Sequence, residues 1–434
     1  MSRSVDLEPY AGLLAKKPEL ASTLSHDLEH YHQPFADRLI ELRGQIGTDK
    51  APYIVGGAAN QGAGKTTRGE IYQILFATEG FPMISLSIDD LYLDHAALCQ
   101  LRESDPRFES RGVTHDFALI DSTLDSVMRM GDKPILMPGP YDKGAHNGAG
   151  DRYLWVNPQP GVELTARLTE EEIMLNGQLQ KAPVLHLDRA TFQDKPLTLT
   201  DDMGSLIPLE PGFFPESGHA LRQFLFDNVG SAYDLNVSVR NVGGKEVVCF
   251  QARDQSGASV EHYAVYSELP PGWRVIKKKP AFIFLEGWMQ GLRPAEDKSV
   301  FNKDLLKLPG FRDENDIDFA RFINDQVLPK YLRYWDMVDF QTVLYNPNYP
   351  ITFEWREQQE QRLRAEGRKA KSPAEVRRFV EYFFRSLHPT LFLDRLARDI
   401  EHTDQVTILA DDRRILSVTT PDQVDQILAQ GVFS

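Results

Sequence analysis

A chain of 434 residues, 41% hydrophobic and 26% charged, is long enough for two or three domains with cores of their own, and its composition excludes disordered and fibrous classes. A formal net charge of −15 argues against nucleic acid or an anionic membrane surface as a partner, since both repel such a protein on average. Cys99 and Cys249, the only cysteines, are too few for a disulfide framework and too far apart for a CxxC metal or redox pair.

The opening stretch MSRSVDLEPYAGLLAKKPEL has no apolar core of the kind a secretory signal needs. No later run approaches the roughly 20 apolar residues of a membrane span, so a cytoplasmic protein is expected. Leu24, Leu28, Tyr31, Phe35, Leu39 and Leu42 recur at spacings of three and four, which predicts an amphipathic helix over about 20–45. Tyr53-Ile54-Val55 is a short apolar run that stops at Gly56-Gly57, and helical sequence resumes after Lys65 and continues to about Thr78.

Between them stands Ala59-Asn60-Gln61-Gly62-Ala63-Gly64-Lys65-Thr66-Thr67, which follows the phosphate-loop pattern GxxxxGK[ST] except for alanine in place of the first glycine. Such a loop points backbone N–H groups at phosphate, and the helix behind it adds its positive end. Lys65 is placed to reach the β/γ-phosphates and Thr66 to ligate magnesium, so a nucleoside triphosphate with Mg²⁺ is expected, while the loop alone does not separate a kinase from a GTPase or a motor. A chance glycine-rich turn would lack the strand before it and the helix after it. Ala59 is compatible with the loop if its φ is negative or if the turn tolerates a methyl group.

Further along, Phe81–Ile88 ends in Asp89-Asp90, and Lys279–Leu285 ends in Glu286-Gly287. Both read as buried strands of a parallel sheet that deliver carboxylates at their C-terminal ends, where open α/β sheets bind ligands. Strands at Met337–Leu344 and Val406–Leu409 extend the pattern to a doubly wound, mostly parallel sheet of P-loop kinase type. Glu286 thus has the position of a second magnesium ligand beside Thr66, since magnesium takes one or two carboxylates together with phosphate oxygens.

Residues 159–273 have a different texture, with strand-like alternation at 235–240, 246–250 and 262–266 and turn sequences at 241–244 and 254–257. The predicted organisation is therefore a kinase domain split into 1–158 and 274–434 around a β-rich insertion.

The motifs Ser87-Ile-Asp89-Asp90-Leu-Tyr92-Leu93, Arg111-Gly-Val-Thr-His115-Asp116, Pro140-Tyr141-Asp142-Lys143, Gly148-Ala-Gly150-Asp151-Arg152 and Leu285-Glu286-Gly287-Trp288-Met-Gln-Gly291 occur in that order. Together with Phe353-Glu-Trp355-Arg356-Glu-Gln-Gln359-Glu360 they resemble the D-glycerate 3-kinase family, within the phosphoribulokinase and uridine kinase group of P-loop kinases. The resemblance runs over about 30–158 and 274–418 and leaves out the insertion. Two departures stand: Arg111-Gly-Val113 is one residue shorter than the family's usual pattern, and residue 144 is glycine where serine is common.

The resemblance implies transfer of the ATP γ-phosphoryl group to a hydroxyl of a small hydroxy acid, D-glycerate giving 3-phosphoglycerate. It assigns Asp89 as the base that takes the hydroxyl proton, although Asp90 could exchange roles with it and orient magnesium-bound water. It groups Asp90, Tyr92, Arg111, His115, Asp116, Tyr141, Lys143 and Arg152 around the acceptor, whose carboxylate suits guanidinium and ammonium partners. Arg356 falls in the lid segment and is expected to meet phosphate. Two other readings fit parts of the sequence: a kinase for another small alcohol such as a sugar or nucleoside, and a nucleotide-binding regulatory protein without turnover.

Overall fold

The computed structural model describes residues 6–47, 51–93, 95–131, 278–365 and 370–431, together with 135–137, 141, 143, 149–150 and the strands between Val162 and Ile276. The chain divides into two compact units, Met1–His115 with Lys143–Asp151 and Pro280–Ser434, and Asp116–Asp142 with Arg152–Lys279.

The first unit is built on a six-stranded sheet. In chain order its strands are β1 (Tyr53–Ala59), β2 (Met83–Ser87), β3 (Phe282–Gly287), β4 (Phe340–Tyr345), β5 (Gln405–Leu409) and β6 (Ile415–Thr419). They lie side by side as β2-β3-β1-β4-β5-β6, all parallel except β6, which runs antiparallel to β5. Every residue of β1, β3 and β4 is buried, which is why these strands read as unbroken apolar or glycine-rich runs. The predicted strands are present. The half-buried edge strand β6 is an addition that its mixed sequence, Ile415-Leu-Ser-Val-Thr419, did not announce.

Helix α1 (Gln33–Ile46) and helix α2 (Lys65–Thr78) share an aromatic core with the sheet. Phe35 stacks on Tyr72 at 5.0 Å, and Phe76 meets Phe282 at 4.8 Å. Each such side chain taken from water stabilises the unit by roughly 1.5–3 kcal/mol. The helix predicted over about 20–45 is not continuous. A short helix, Leu24–Asp27, passes into a wide π turn, Leu28–His32, before α1 begins. Pro34 has no N–H to give the turn behind it, and the preceding Gln33 N–H reaches back to Leu28 O instead. Helices α3 (Ile351–Ala365) and α4 (Pro373–Ser386) follow β4, and α4 opens with a capping box between Ser372 and Glu375.

In the second unit the helix Phe117–Met128 is capped by Asp116, whose carboxylate accepts from Leu119 N at 3.0 Å. Strand Ile135–Met137 pairs antiparallel with Arg274–Ile276, and Val162–Leu175 pairs with Gln178–Phe192. Asn236–Val242, Lys245–Arg253 and Ser259–Val265 form an antiparallel sheet, each overlapping a strand predicted for that region. The turns predicted at 241–244 and 254–257 fall wholly or partly outside the described residues.

Candidate active site

Parallel register sets the chemistry at one end of the sheet: Gly57 of β1 lies beside Glu286 of β3, which lies beside Ser87 of β2. The phosphate loop leaves β1 two residues further on, and Asp89 leaves β2 two residues after Ser87, in the short turn Ile88–Asp90. One cavity of about 650 Å³ collects Gln61–Arg68, Asp89, Tyr92, Arg111, Lys143, Glu286, Arg356 and Phe379.

Ala59 ends β1 with its φ outside the left-handed region, which removes the demand for a glycine there. Gly62 does sit in that region, at φ 80°, and a Cβ on it would fall 2.6 Å from Trp355 Cβ on α3. Trp355 is held by its Nε1 donating to Asp411 O at 2.7 Å, in the turn between β5 and β6. From the same turn Arg413, at φ 71°, donates to Gly62 O at 2.7 Å and lies 5.0 Å from the Trp355 ring centre. The loop is thus gripped from outside by residues more than 290 positions downstream, which no local pattern revealed.

Lys65 opens α2 and is buried, its Nζ donating to Ala59 O at 3.0 Å and Asn60 O at 3.1 Å. Burial pulls its pKa down, and the charges of Glu286 and Asp89 oppose that. Thr66 Oγ1 donates to Glu286 Oε1 at 3.1 Å. Glu286 is 1% exposed, and burial pushes its carboxyl up to about 7 against the pull of Lys65. Among the described residues no group of three or more His, Cys, Asp or Glu side chains could hold a metal by itself. The Thr66–Glu286 pair beside the phosphate loop suits magnesium shared with phosphate oxygens. Thr67 Oγ1 accepts from Lys17 Nζ at 2.8 Å, so an N-terminal residue reaches the loop, and Glu19 pairs with Arg362 of α3 at 2.7 Å.

On the other side of the cavity Tyr92 Oη donates to Asp89 Oδ1 at 3.1 Å, and Lys143 Nζ stands 4.0 Å from Asp89 Oδ2. Arg111 is 2% exposed; its Nη1 donates to Ala149 O at 3.3 Å and its guanidinium lies 5.1 Å from the Phe379 ring centre. Arg356 approaches the same ring at 5.4 Å while paired with Glu360 and Gln359. Burial lowers the pKa of Arg356, the Glu360 carboxylate opposes this, and Arg111 adds to the lowering. Two cations beside one aromatic ring make this wall suited to an anion.

Other predicted residues lie elsewhere. His115 is buried outside the cavity lining, stacked on Tyr92 at 4.2 Å, with Nδ1 2.8 Å from Tyr331 Oη. Burial lowers its pKa to about 3, which makes it a neutral packing and hydrogen-bonding group. Asp116 caps a helix of the second unit, to which the buried Tyr141 also belongs. Arg152 lies outside the described residues. Asp90 follows Asp89 in the same short turn.

A mostly parallel sheet with a phosphate loop on a central strand and acidic residues at the ends of the two strands beside it on one side is a P-loop kinase-like fold. Comparison with known proteins agrees. No family profile matches the chain. The chloroplastic D-glycerate 3-kinase of Arabidopsis thaliana is 32% identical over 112 residues, 24% of this chain and 25% of that protein. The uncharacterized kinase mug58 of Schizosaccharomyces pombe is 29% identical over 122 residues, 27% of this chain and 44% of its own length. These matches therefore span less than half of either relative. Among solved structures, D-glycerate 3-kinase from Cryptococcus neoformans superposes with a TM-score of 0.54 at 17% identity, over 89% of this chain and 98% of that one. The YGR205w protein superposes at 0.50 and 18%, over 90% and 96%. The chain resembles the D-glycerate 3-kinase family in sequence over part of its length and shares its fold.

Proposed function

We propose that this chain is an ATP-dependent kinase that transfers the γ-phosphoryl group to a hydroxyl of a small hydroxy acid, D-glycerate being the leading acceptor. The observation that carries this reading is the single cavity in which Lys65, Thr66 and Glu286 lie on the phosphate-loop side and Asp89, Lys143 and Arg111 on the other. A purely nucleotide-binding protein would have no use for the second set.

In this reading the loop amides and Lys65 hold the β/γ-phosphates, and Thr66 with Glu286 holds magnesium, which supplies charge neutralisation to the phosphates. Asp89 accepts the acceptor's hydroxyl proton on Oδ2, the freed oxygen bonds to the γ-phosphorus, and the bond from that phosphorus to ADP breaks. Little other covalent chemistry is required, so alignment and charge supply most of the rate. Arg111 and Arg356, both beside the Phe379 ring, take the acceptor's carboxylate and the transferring phosphoryl group.

The testing experiment measures ATP consumption by the purified protein with D-glycerate, glycerol, sugars and nucleosides in parallel. D-Glycerate is expected to exceed glycerol by ten-fold or more in kcat/KM, because glycerol brings no carboxylate to the positively charged wall formed by Arg111, Lys143 and Arg356. Equal rates with the two compounds, or a preference for a sugar or nucleoside, would remove the hydroxy-acid assignment; no stimulated turnover with any of them would remove the kinase reading.

A further inference from the structure

Trp288, which follows Glu286-Gly287 at the end of β3, has no part in the mechanism above, yet it is 7% exposed and its indole Nε1 donates to Tyr92 Oη at 3.1 Å. Tyr92 in turn donates to Asp89 Oδ1 at 3.1 Å. The donor inventory gives this chain of bonds a direction. An indole N–H can only donate, and a phenol carries one proton. With a lone pair of Oη engaged by Trp288, the phenol proton is free to go to Asp89, and that bond is completed only if Oδ1 accepts it. Oδ1 then has a lone pair engaged by the phenol, while Oδ2 stands 4.0 Å from Lys143 Nζ, a residue that lines the cavity with Asp89.

We propose that Trp288 and Tyr92 are positioning residues that fix the Asp89 rotamer through Oδ1 and leave Oδ2 as the proton-accepting oxygen. The proposal rests on the reading of Asp89 as the base. Packing makes the relay stiff. Tyr92 is 1% exposed, its ring stacks on His115 with 21° between planes, and His115 is itself fastened to Tyr331. Burial and the Asp89 charge hold the phenol's pKa well above its ordinary value, so it keeps the proton it donates. Trp288 packs edge-on against Phe383 of α4 at 4.7 Å, a residue that also lines the cavity, so α4 backs the relay. The Glu-Gly-Trp run thereby gains a physical meaning: the glutamate faces the phosphate loop, and two residues later the indole serves the opposite wall.

Three variants with D-glycerate and Mg-ATP test this. Tyr92→Phe keeps the stacked ring and should lower kcat by roughly ten-fold, the loss of one bond to a carboxylate, with both KM values within two-fold. Trp288→Phe should lower kcat in the same sense by less, and the double variant should match Tyr92→Phe alone, because Trp288 acts through the phenol. An unchanged kcat in Tyr92→Phe, or losses that multiply in the double variant, overturns the proposal. Asp89→Asn separates this from the underlying reading: near-parent turnover in that variant removes Asp89 as the base, whereas an inactive Asp89→Asn beside a fully active Tyr92→Phe removes only the relay. A second measurement needs no acceptor. The Trp288 indole 1H–15N resonance, assigned with Trp288→Phe, should move on Asp89→Asn and should stay put when the same change is made in the Tyr92→Phe background. A resonance indifferent to Asp89→Asn in the otherwise native protein overturns the relay.

Discussion

Asparagine has almost the shape of aspartate but no comparable proton affinity, so Asp89→Asn and Asp90→Asn separate the two acids that share one short turn. Asp89 is the one whose oxygens face both Tyr92 and Lys143. Asp89→Asn is expected to bind ATP as before and lose about 10²–10⁴-fold in kcat, the usual share of a general base. Asp90→Asn should retain most of its turnover, and calorimetry with ATP alongside steady-state rates distinguishes the cases; the reverse pattern would exchange the roles. The buried histidines act on stability instead. Burial lowers His32 and His115 to about 3 and His388 to about 4. Their folded pKa values lie below that of an unfolded histidine, so the unfolded chain binds these three protons first as pH falls. Glu286, pushed up to about 7 by burial, acts in the opposite sense and offsets one of them. The three histidines outnumber it, so these four groups together make the unfolded chain the better proton binder between about pH 6 and 5. Stability should be intact above the histidine range and fall steeply through that window, and a Tm that stays flat from pH 7 to 5 would contradict it.

The phosphate loop is short enough that single methyl groups report on how it is held. Gly62→Ala meets two obstacles: a left-handed φ of 80° and Trp355 Cβ at 2.6 Å. Gly64, at φ 94°, has nothing within 4 Å of an added Cβ. The backbone cost is therefore common to both, roughly 1–2 kcal/mol, but only Gly62→Ala must also displace α3. We expect Gly62→Ala to lower the Tm further and to weaken ATP binding more than Gly64→Ala; the opposite order would show that Trp355 does not clamp the loop. Much of this element was legible in the sequence because its parts are contiguous. β1, the loop and α2 follow one another without a gap, and Asp89 and Glu286 each end an apolar run. What the sequence concealed came from distance or from direction. Arg413 and Trp355 grip the loop from the far end of the chain, and Lys17 reaches Thr67 across 50 positions. His115 and Asp116 stand next to Arg111 in a motif, yet one turns behind Tyr92 and the other caps a helix, because neighbours in a chain do not share a side-chain direction.

For the whole molecule the open matter is what residues 159–273 contribute. All six strands of the first unit's sheet come from outside that segment, and so does every described residue lining the cavity, from Glu19 to Lys143 and from Glu286 to Ile415. Arg274–Ile276, directly after the segment, pairs antiparallel with Ile135–Met137, upstream of it, so the two flanking pieces are tied to each other by residues outside the segment. A short connection can then replace it at little cost, since loop-closure entropy changes only slowly with length. Replacing residues 159–273 with a Gly/Ser linker should therefore leave a folded protein with kcat within a few-fold of the parent and ATP affinity unchanged. Any effect is expected in the acceptor's KM or in the oligomeric state measured by light scattering, which would mark the segment as tuning access or subunit contact. A variant that keeps its circular dichroism and its cooperative melt, yet has no turnover at saturating acceptor, would place a catalytic residue inside the segment. That result would contradict the division of labour read from the cavity, in which the reacting groups all lie on the two flanking pieces of the chain.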